Sequence, residues 1–199
     1  LCVGLGAVSS TYITGTLMIR KGMGKPIGSI TQMANIRVGK GEDARYKKVS
    51  DIVSMTSLDD IEFGAWDILP DNAFESSMHA EVLRDRDIYP VKEELEKIIP
   101  MKGIYDSNYV KALEGTWTKD TKLSRWELME QVREDIQKFK KEHGCSRIVV
   151  IWAASTEIYV PRNAEIHDSL EAFETAMKTD DREHISPSMC YAYAALSEG

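Results

Sequence analysis

The chain has 199 residues, 43% of them hydrophobic, which is enough for one α/β domain with a real core and too much for a disordered tail. Its formal net charge of -7 argues against general nucleic-acid binding. Cys2, Cys145 and Cys190 are too few and too scattered for a disulfide framework, and this usage fits a reducing, cytoplasmic compartment.

Leu1-Cys2-Val3 reads as the end of an apolar strand, and Gly4-Leu5-Gly6-Ala7 as the turn that leaves it. A helix is expected from residue 8 to about 20, with Val8, Tyr12 and Ile19 among its apolar positions. Gly22, Gly24, Pro26 and Gly28 then break it. Residues 29–38 can hold one or two short strands, and 40–48 read as a charged loop. Residues 61–68 are the next strand and its exit loop. Asp71 is the expected N-cap of a helix whose stripe is Phe74, Met78 and Val82. Pro90 interrupts, and a short helix resumes over 91–98. Residues 100–123 show no period and read as an extended connection.

Ser124-Arg125-Trp126-Glu127 has capping-box spacing, in which the Ser and Glu side chains satisfy free N–H groups reciprocally. Leu128, Val132, Ile136 and Phe139 follow on one face, and Gly144 ends the helix. Arg147-Ile148-Val149-Val150-Ile151-Trp152 is a continuous apolar run, expected to be a central parallel strand buried on both faces. Ala153-Ala154-Ser155-Thr156-Glu157 lies at its carboxyl end. One more stripe follows (Ile166, Leu170, Phe173, Met177), then a short last helix over 188–197. The alternation of strands and helices predicts a doubly wound, mostly parallel α/β domain of Rossmann type. No run approaches the roughly 18 apolar residues of a membrane span. The opening on a strand end and the close just past a helix suggest the front part of a longer chain.

Three places can carry chemistry. Gly4-x-Gly6 follows a strand and opens a helix, the context in which Gly4 permits a tight turn and Gly6 lets backbone approach a pyrophosphate at a helix N-terminus. Against this, Ser9 stands where a third glycine belongs, and no acid lies near residue 26 to bind a ribose, so an ordinary turn remains the other reading. Trp66-Asp67 sits where strand gives way to loop. Asp67 can accept from a ribose, from a cofactor-binding loop, or merely from the following turn. Ser155 and Thr156 end the apolar run as small hydroxyl residues that admit a ligand, or as a simple polar turn. His79, His143, His167 and His184 have no metal-ligand spacing, and no G-x-S-x-G marks a nucleophile. The basic run Arg37, Lys40, Arg45, Lys47 and Lys48 invites a phosphate or NADP reading, but reads better as a solvated loop diluted by Glu42 and Asp43.

Taken in order, Val3-Gly4-Leu5-Gly6-Ala7-Val8-Ser9-Ser10, Phe63-Gly64-Ala65-Trp66-Asp67-Ile68, Val150-Ile151-Trp152-Ala153-Ala154-Ser155-Thr156-Glu157 and Ile185-Ser186-Pro187-Ser188-Met189-Cys190-Tyr191-Ala192 resemble the myo-inositol-1-phosphate synthase family, especially its shorter prokaryotic members. The resemblance covers all 199 residues, as the first half of a longer protein. It implies an incomplete NAD-binding domain over residues 1–199 of a glucose 6-phosphate isomerising enzyme, homotetrameric when whole and serving inositol and phospholipid biosynthesis. It also implies that Gly4, Gly6, Ala7, Val8 and Ser9 hold the pyrophosphate of NAD, that Trp66 and Asp67 line the dinucleotide site, and that Ser155, Thr156 and Ser188 border it. The family's catalytic lysines match no lysine here, so no catalytic residue and no metal ligand is expected in this chain. A dehydrogenase with net redox and a non-catalytic nucleotide-binding module remain the alternatives.

Overall fold

The computed structural model describes residues 1–199. The chain opens with β1 (Cys2–Val3) and α1 (Ala7–Arg20), then leaves the domain through α2 (Ile30–Met33) and the strands β2 (Asn35–Val38) and β3 (Arg45–Lys48). It returns as β4 (Ala65–Asp67), followed by α3 (Ala73–Ala80), α4 (Asp85–Ile88), α5 (Lys92–Glu96) and β5 (Met101–Lys102). The long helix α6 (Arg125–Glu142) leads to β6 (Ile151–Trp152), and α7 (Ala164–His167), α8 (Leu170–Lys178) and α9 (Pro187–Ser197) complete it.

β1 pairs in parallel with β4 and with β6, and β4 pairs in parallel with β5, giving the order β5-β4-β1-β6. The chain therefore builds outward from β1 to β5, then crosses back and resumes on the other side of β1. That reversal is a topological switch point, and it opens a crevice at the carboxyl ends of β1 and β6.

Strand alternation distributes the core. Cys2 and Ala65 face one layer, where they pack with Ile13, Leu17, Ala73, Ile88 and Leu95 of the helices from α1 to α5. Val3 and Trp66 face the other, where Leu128, Met129, Val132 and Ile136 of α6 meet Met177, Cys190, Tyr191 and Ala194. Burying each large apolar side chain contributes about 1.5–3 kcal/mol, so the four α6 residues anchor that layer. The expected capping box is present: Glu127 N–H donates to Ser124 Oγ at 3.3 Å, and Ser124 N–H to Glu127 Oε2 at 2.8 Å. Gly144 follows the helix at φ +63°, where a Cβ is unfavourable.

Several local expectations are corrected. The N-cap of α3 is Asn72, not Asp71, because Asn72 Oδ1 accepts from both Phe74 and Glu75 while Glu75 reaches back to the Asn72 N–H. Glu81 turns left-handed at φ +53°, which puts Val82 outside the helix and exposed. Residues 45–48 are no loop: they pair antiparallel with 35–38, Asn35 opposite Lys48 and Val38 opposite Arg45, in a fully exposed hairpin. The stripe from Ile166 to Met177 spans two helices, broken at Asp168 and Ser169, and Leu170 is exposed. The aperiodic connection contains β5, a two-residue strand too short to show alternation. The apolar run 147–152 supplies a shorter strand than expected: only Ile151 and Trp152 form β6, paired in parallel with β1. No helix is long and apolar enough to cross a membrane.

Candidate functional site

The crevice holds a cavity of about 310 Å³, within the range of small-molecule sites. Its floor is the turn after β1. Gly4 sits at φ +93°, and a Cβ there would stand 2.6 Å from Ala154 Cα and 2.7 Å from Ala154 N. Gly4 thus allows both a left-handed turn and close approach of the segment leaving β6. Gly6 is the N-cap of α1, and a Cβ there would meet nothing within 4 Å. The first N–H groups of α1 have no intrahelical acceptors, so the helix offers donors and the positive end of its dipole beside that open space.

Asp67, the last residue of β4, fixes this turn. Its Oδ2 accepts from Leu5 N–H at 2.5 Å and its Oδ1 from Leu69 N–H at 2.9 Å. Both weighed readings of Asp67 hold together: it binds the glycine-rich loop and caps its own exit turn. A carboxylate has about four lone-pair sites, so further acceptance is open to it. No acid lies near residue 26 because the chain there enters the excursion through the β2–β3 hairpin; the next strand of the main sheet, β4, ends at Asp67.

Trp66 is fully buried, lines the cavity, and donates its indole N–H to Asp135 Oδ2 at 2.8 Å, where Lys119 Nζ also pairs at 2.7 Å. Tyr191 stacks at a tilt on Trp66, with ring centroids 5.3 Å apart, and meets Trp152 edge-on at 6.0 Å. Its hydroxyl accepts from Ile104 N–H at 2.9 Å. Burial raises the phenol above the ordinary tyrosine value, so it is neutral at physiological pH.

Of the residues singled out from sequence, Gly4, Gly6, Ala7, Val8, Trp66, Asp67 and Ser155 line this one cavity. Three do not. Ser9 is buried behind the turn, where its hydroxyl donates to Gly4 O at 2.6 Å; its small side chain does the packing work of the missing third glycine. Thr156 is exposed outside the cavity. Ser188 is held by Glu157, whose carboxylate accepts from Ser188 N–H at 3.1 Å and from its hydroxyl at 2.5 Å. Glu157 itself lines the cavity, as does Asp106. Glu157 ends the Ala153–Glu157 segment singled out from sequence, where only Ser155 and Thr156 were given roles, and nothing local pointed to Asp106. Asp67, Asp106 and Glu157 are the charged groups of the lining, which contains no Lys or Arg.

A second recess of about 220 Å³ shares Gly6, Ala7, Asp67 and Leu69 with the first and continues to Asp71, Ser76 and His79. His79 Nδ1 lies 3.0 Å from Asp71 Oδ2. The basic residues of the hairpin line neither space. His143 is the C-cap of α6, stacked on Phe139 at 4.2 Å.

Comparison with known proteins gives one family. A family model for an NAD-binding domain, described as myo-inositol-1-phosphate synthase, matches residues 1–199. The chain is 54% identical over 199 residues to inositol-3-phosphate synthase 1 of Bacteroides thetaiotaomicron, covering 100% of this chain and 45% of that relative. It is 32% identical to inositol-3-phosphate synthase 1 of Oryza sativa subsp. japonica, covering 42% of it. The crystal structure of inositol-3-phosphate synthase from Caenorhabditis elegans superposes with a TM-score of 0.90 at 25% identity, covering 100% of this chain and 42% of that one. The chain thus spans less than half the length of the relatives it matches.

Proposed function

This chain belongs to the myo-inositol-1-phosphate synthase family, as its NAD-binding domain, and from that premise we propose that it forms the cofactor-holding part of an enzyme converting D-glucose 6-phosphate to 1L-myo-inositol 1-phosphate. The observation that carries the reading is the contrast at the first turn: Gly4 is pressed against Ala154, while Gly6 faces open space at the start of α1. That is a cradle for a pyrophosphate, which a Cβ on Gly6 would fill.

A bound NAD would supply a reversible hydride acceptor, which would let the reaction run without net redox. The chain's own residues bind and orient. The N–H groups of Ala7 and Val8 would hold the pyrophosphate, Asp67 holds the loop and would accept from the ribose, and Ser155 with Ala153 and Ala154 would border the site, small enough to admit a ring closely. Trp66, Tyr191 and Trp152 exclude water from one side, which strengthens every charge interaction within. Ser9 and Ser188 act behind the cavity walls rather than on the cofactor, and Thr156 lies outside.

Enolate stabilisation during ring closure requires positive charge. The lining carries three carboxylates and no cation, so that charge and the substrate site belong to the remainder of the protein. The same reading makes the intact enzyme a cytoplasmic homotetramer, feeding inositol phosphate to phospholipid synthesis.

The deciding experiment incubates the intact protein with glucose 6-phosphate and NAD, and follows inositol phosphate together with absorbance of NADH. Inositol phosphate without NADH accumulation is expected, and none is expected from residues 1–199 alone. Accumulating NADH would make the protein a dehydrogenase with net redox; NAD binding without turnover would make it a nucleotide-binding module.

A further inference from the structure

We propose that Arg125 is a positioning residue for the cofactor cavity: buried behind the lining, it ties the 103–113 loop to the start of α9 and so sets the spacing of two of the cavity's walls. This rests on the NAD-binding reading above.

Arg125 is the first residue of α6 and is 0% exposed. Its Nη2 donates to Asp106 Oδ2 at 2.6 Å and its Nε to Ile185 O at 2.9 Å. The guanidinium lies 5.6 Å from the centroid of the Tyr109 ring. Asp106 is itself buried, takes part in the cavity lining, and accepts from Asn108 N–H through its other oxygen. Ile185 directly precedes Ser186 and Pro187, where α9 begins, and Pro187 and Tyr191 of that helix also line the cavity. One side chain therefore bonds both walls, and neither bond is local in sequence.

Stability alone does not account for this arrangement. Burying an ion pair costs desolvation that is repaid only when every donor finds an acceptor. Arg125 Nη1 is buried with no partner. An apolar side chain of similar size would fill the same volume without burying a guanidinium. What it would not do is fix Asp106 and Ile185 relative to one another, because only the planar fork of a guanidinium imposes that geometry.

The test separates position from stability. Arg125→Met alone leaves Asp106 as a buried unpaired charge and should lower the melting temperature. Arg125→Met with Asp106→Asn removes both charges and keeps the shape of residue 106. The bonds from Ile104 N–H to Tyr191 Oη in α9 and from Tyr109 Oη to Arg182 O in the segment before α9 remain to support the fold. In the intact protein this double variant should melt above Arg125→Met alone, because no unpaired charge is left buried, yet bind NAD about tenfold more weakly than the unsubstituted protein by calorimetry, the scale expected when binding groups are displaced by a fraction of an ångström. The double variant removes one positive and one negative charge together, so the net charge beside the cavity is unchanged and a loss of affinity reports displaced walls. NAD affinity within twofold of the unsubstituted protein, or tighter, overturns the inference. Should the double variant not fold, Arg125→Lys decides: it keeps the charge but cannot span both partners. Several-fold weaker binding supports the role, and unchanged affinity overturns it. If the unsubstituted protein binds no NAD, this inference and the reading beneath it both fall.

Discussion

Gly4 and Ala154 are 150 residues apart in sequence and in backbone contact in the fold: a Cβ on Gly4 would lie 2.6 Å from the Cα of Ala154. The contact joins the turn leaving β1 to the turn leaving β6, the two ends that define the crevice. It makes the two glycines of Gly4-x-Gly6 unequal in a way that experiment can separate.

Gly4→Ala should destabilise the protein by about 3 kcal/mol or more, since backbone on both sides must move and φ +93° is unfavourable for alanine. Gly6→Val should shift the melting temperature little, because its side chain enters open space, and should abolish NAD binding by filling the cradle. Thermal melts and NAD titration of both variants check this. A folded Gly6→Val protein with unchanged NAD affinity would sink the assignment of the turn.

Asp67 is expected to act through the loop as well as on the cofactor. Asp67→Ala leaves the Leu5 N–H without its acceptor, a loss of about 2 kcal/mol in stability. NAD affinity should fall by more than that destabilisation alone produces, and Asp67→Asn, which keeps one acceptor oxygen, should recover part of both. Urea unfolding beside NAD calorimetry measures the two effects. A stability loss with NAD binding intact would restrict Asp67 to its turn.

NAD should bind at least about tenfold more tightly than NADP, because the 2′-phosphate would bring negative charge to a recess that holds Asp67 and Asp71 and no Lys or Arg. Reversing the charge of Lys47 and Lys48 should leave that ratio unaltered, since the hairpin lines neither space. Tighter NADP binding by the intact protein would refute the cofactor choice.

Cys190 should resist alkylation in the folded protein. Burial pushes its thiol up to about 12 from 9.0, so thiolate is nearly absent at pH 8. Cys145, only partly buried, should be modified first. The sign for stability follows: above about pH 9 the unfolded chain releases the Cys190 proton while the folded one retains it, so this group lowers stability as pH rises from 9.0 toward about 12. Mass spectrometry after iodoacetamide treatment, with and without urea, reads the difference. Rapid native labelling at Cys190 would contradict the buried assignment.

Sequence by itself determined the elements whose signals are local and strong. The capping box at Ser124 and Glu127, the stripe of α6, the turn at Gly4 and Gly6, and the alternating class of the fold were all legible, because capping and helical periodicity involve residues within a turn of one another. Seven of the residues that motif context and the family resemblance named line one cavity. Tertiary structure alone decided the rest. It shortened the apolar run 147–152 to the two paired residues of β6, since which residues of a run join a sheet depends on the strand they meet. It found β5 and the β2–β3 hairpin, whose short strands are defined by their partners rather than by their own pattern. It moved Ser9 and Ser188 behind the walls and brought Glu157 and Asp106 to the front, because a hydroxyl or carboxylate looks the same in sequence whether its acceptor or donor is a ligand or a residue folded against it. Hydrogen bonds across 31 residues, as between Glu157 and Ser188, or across 62, as between Leu5 and Asp67, leave no periodic trace; they exist only once the sheet has brought the strand ends together.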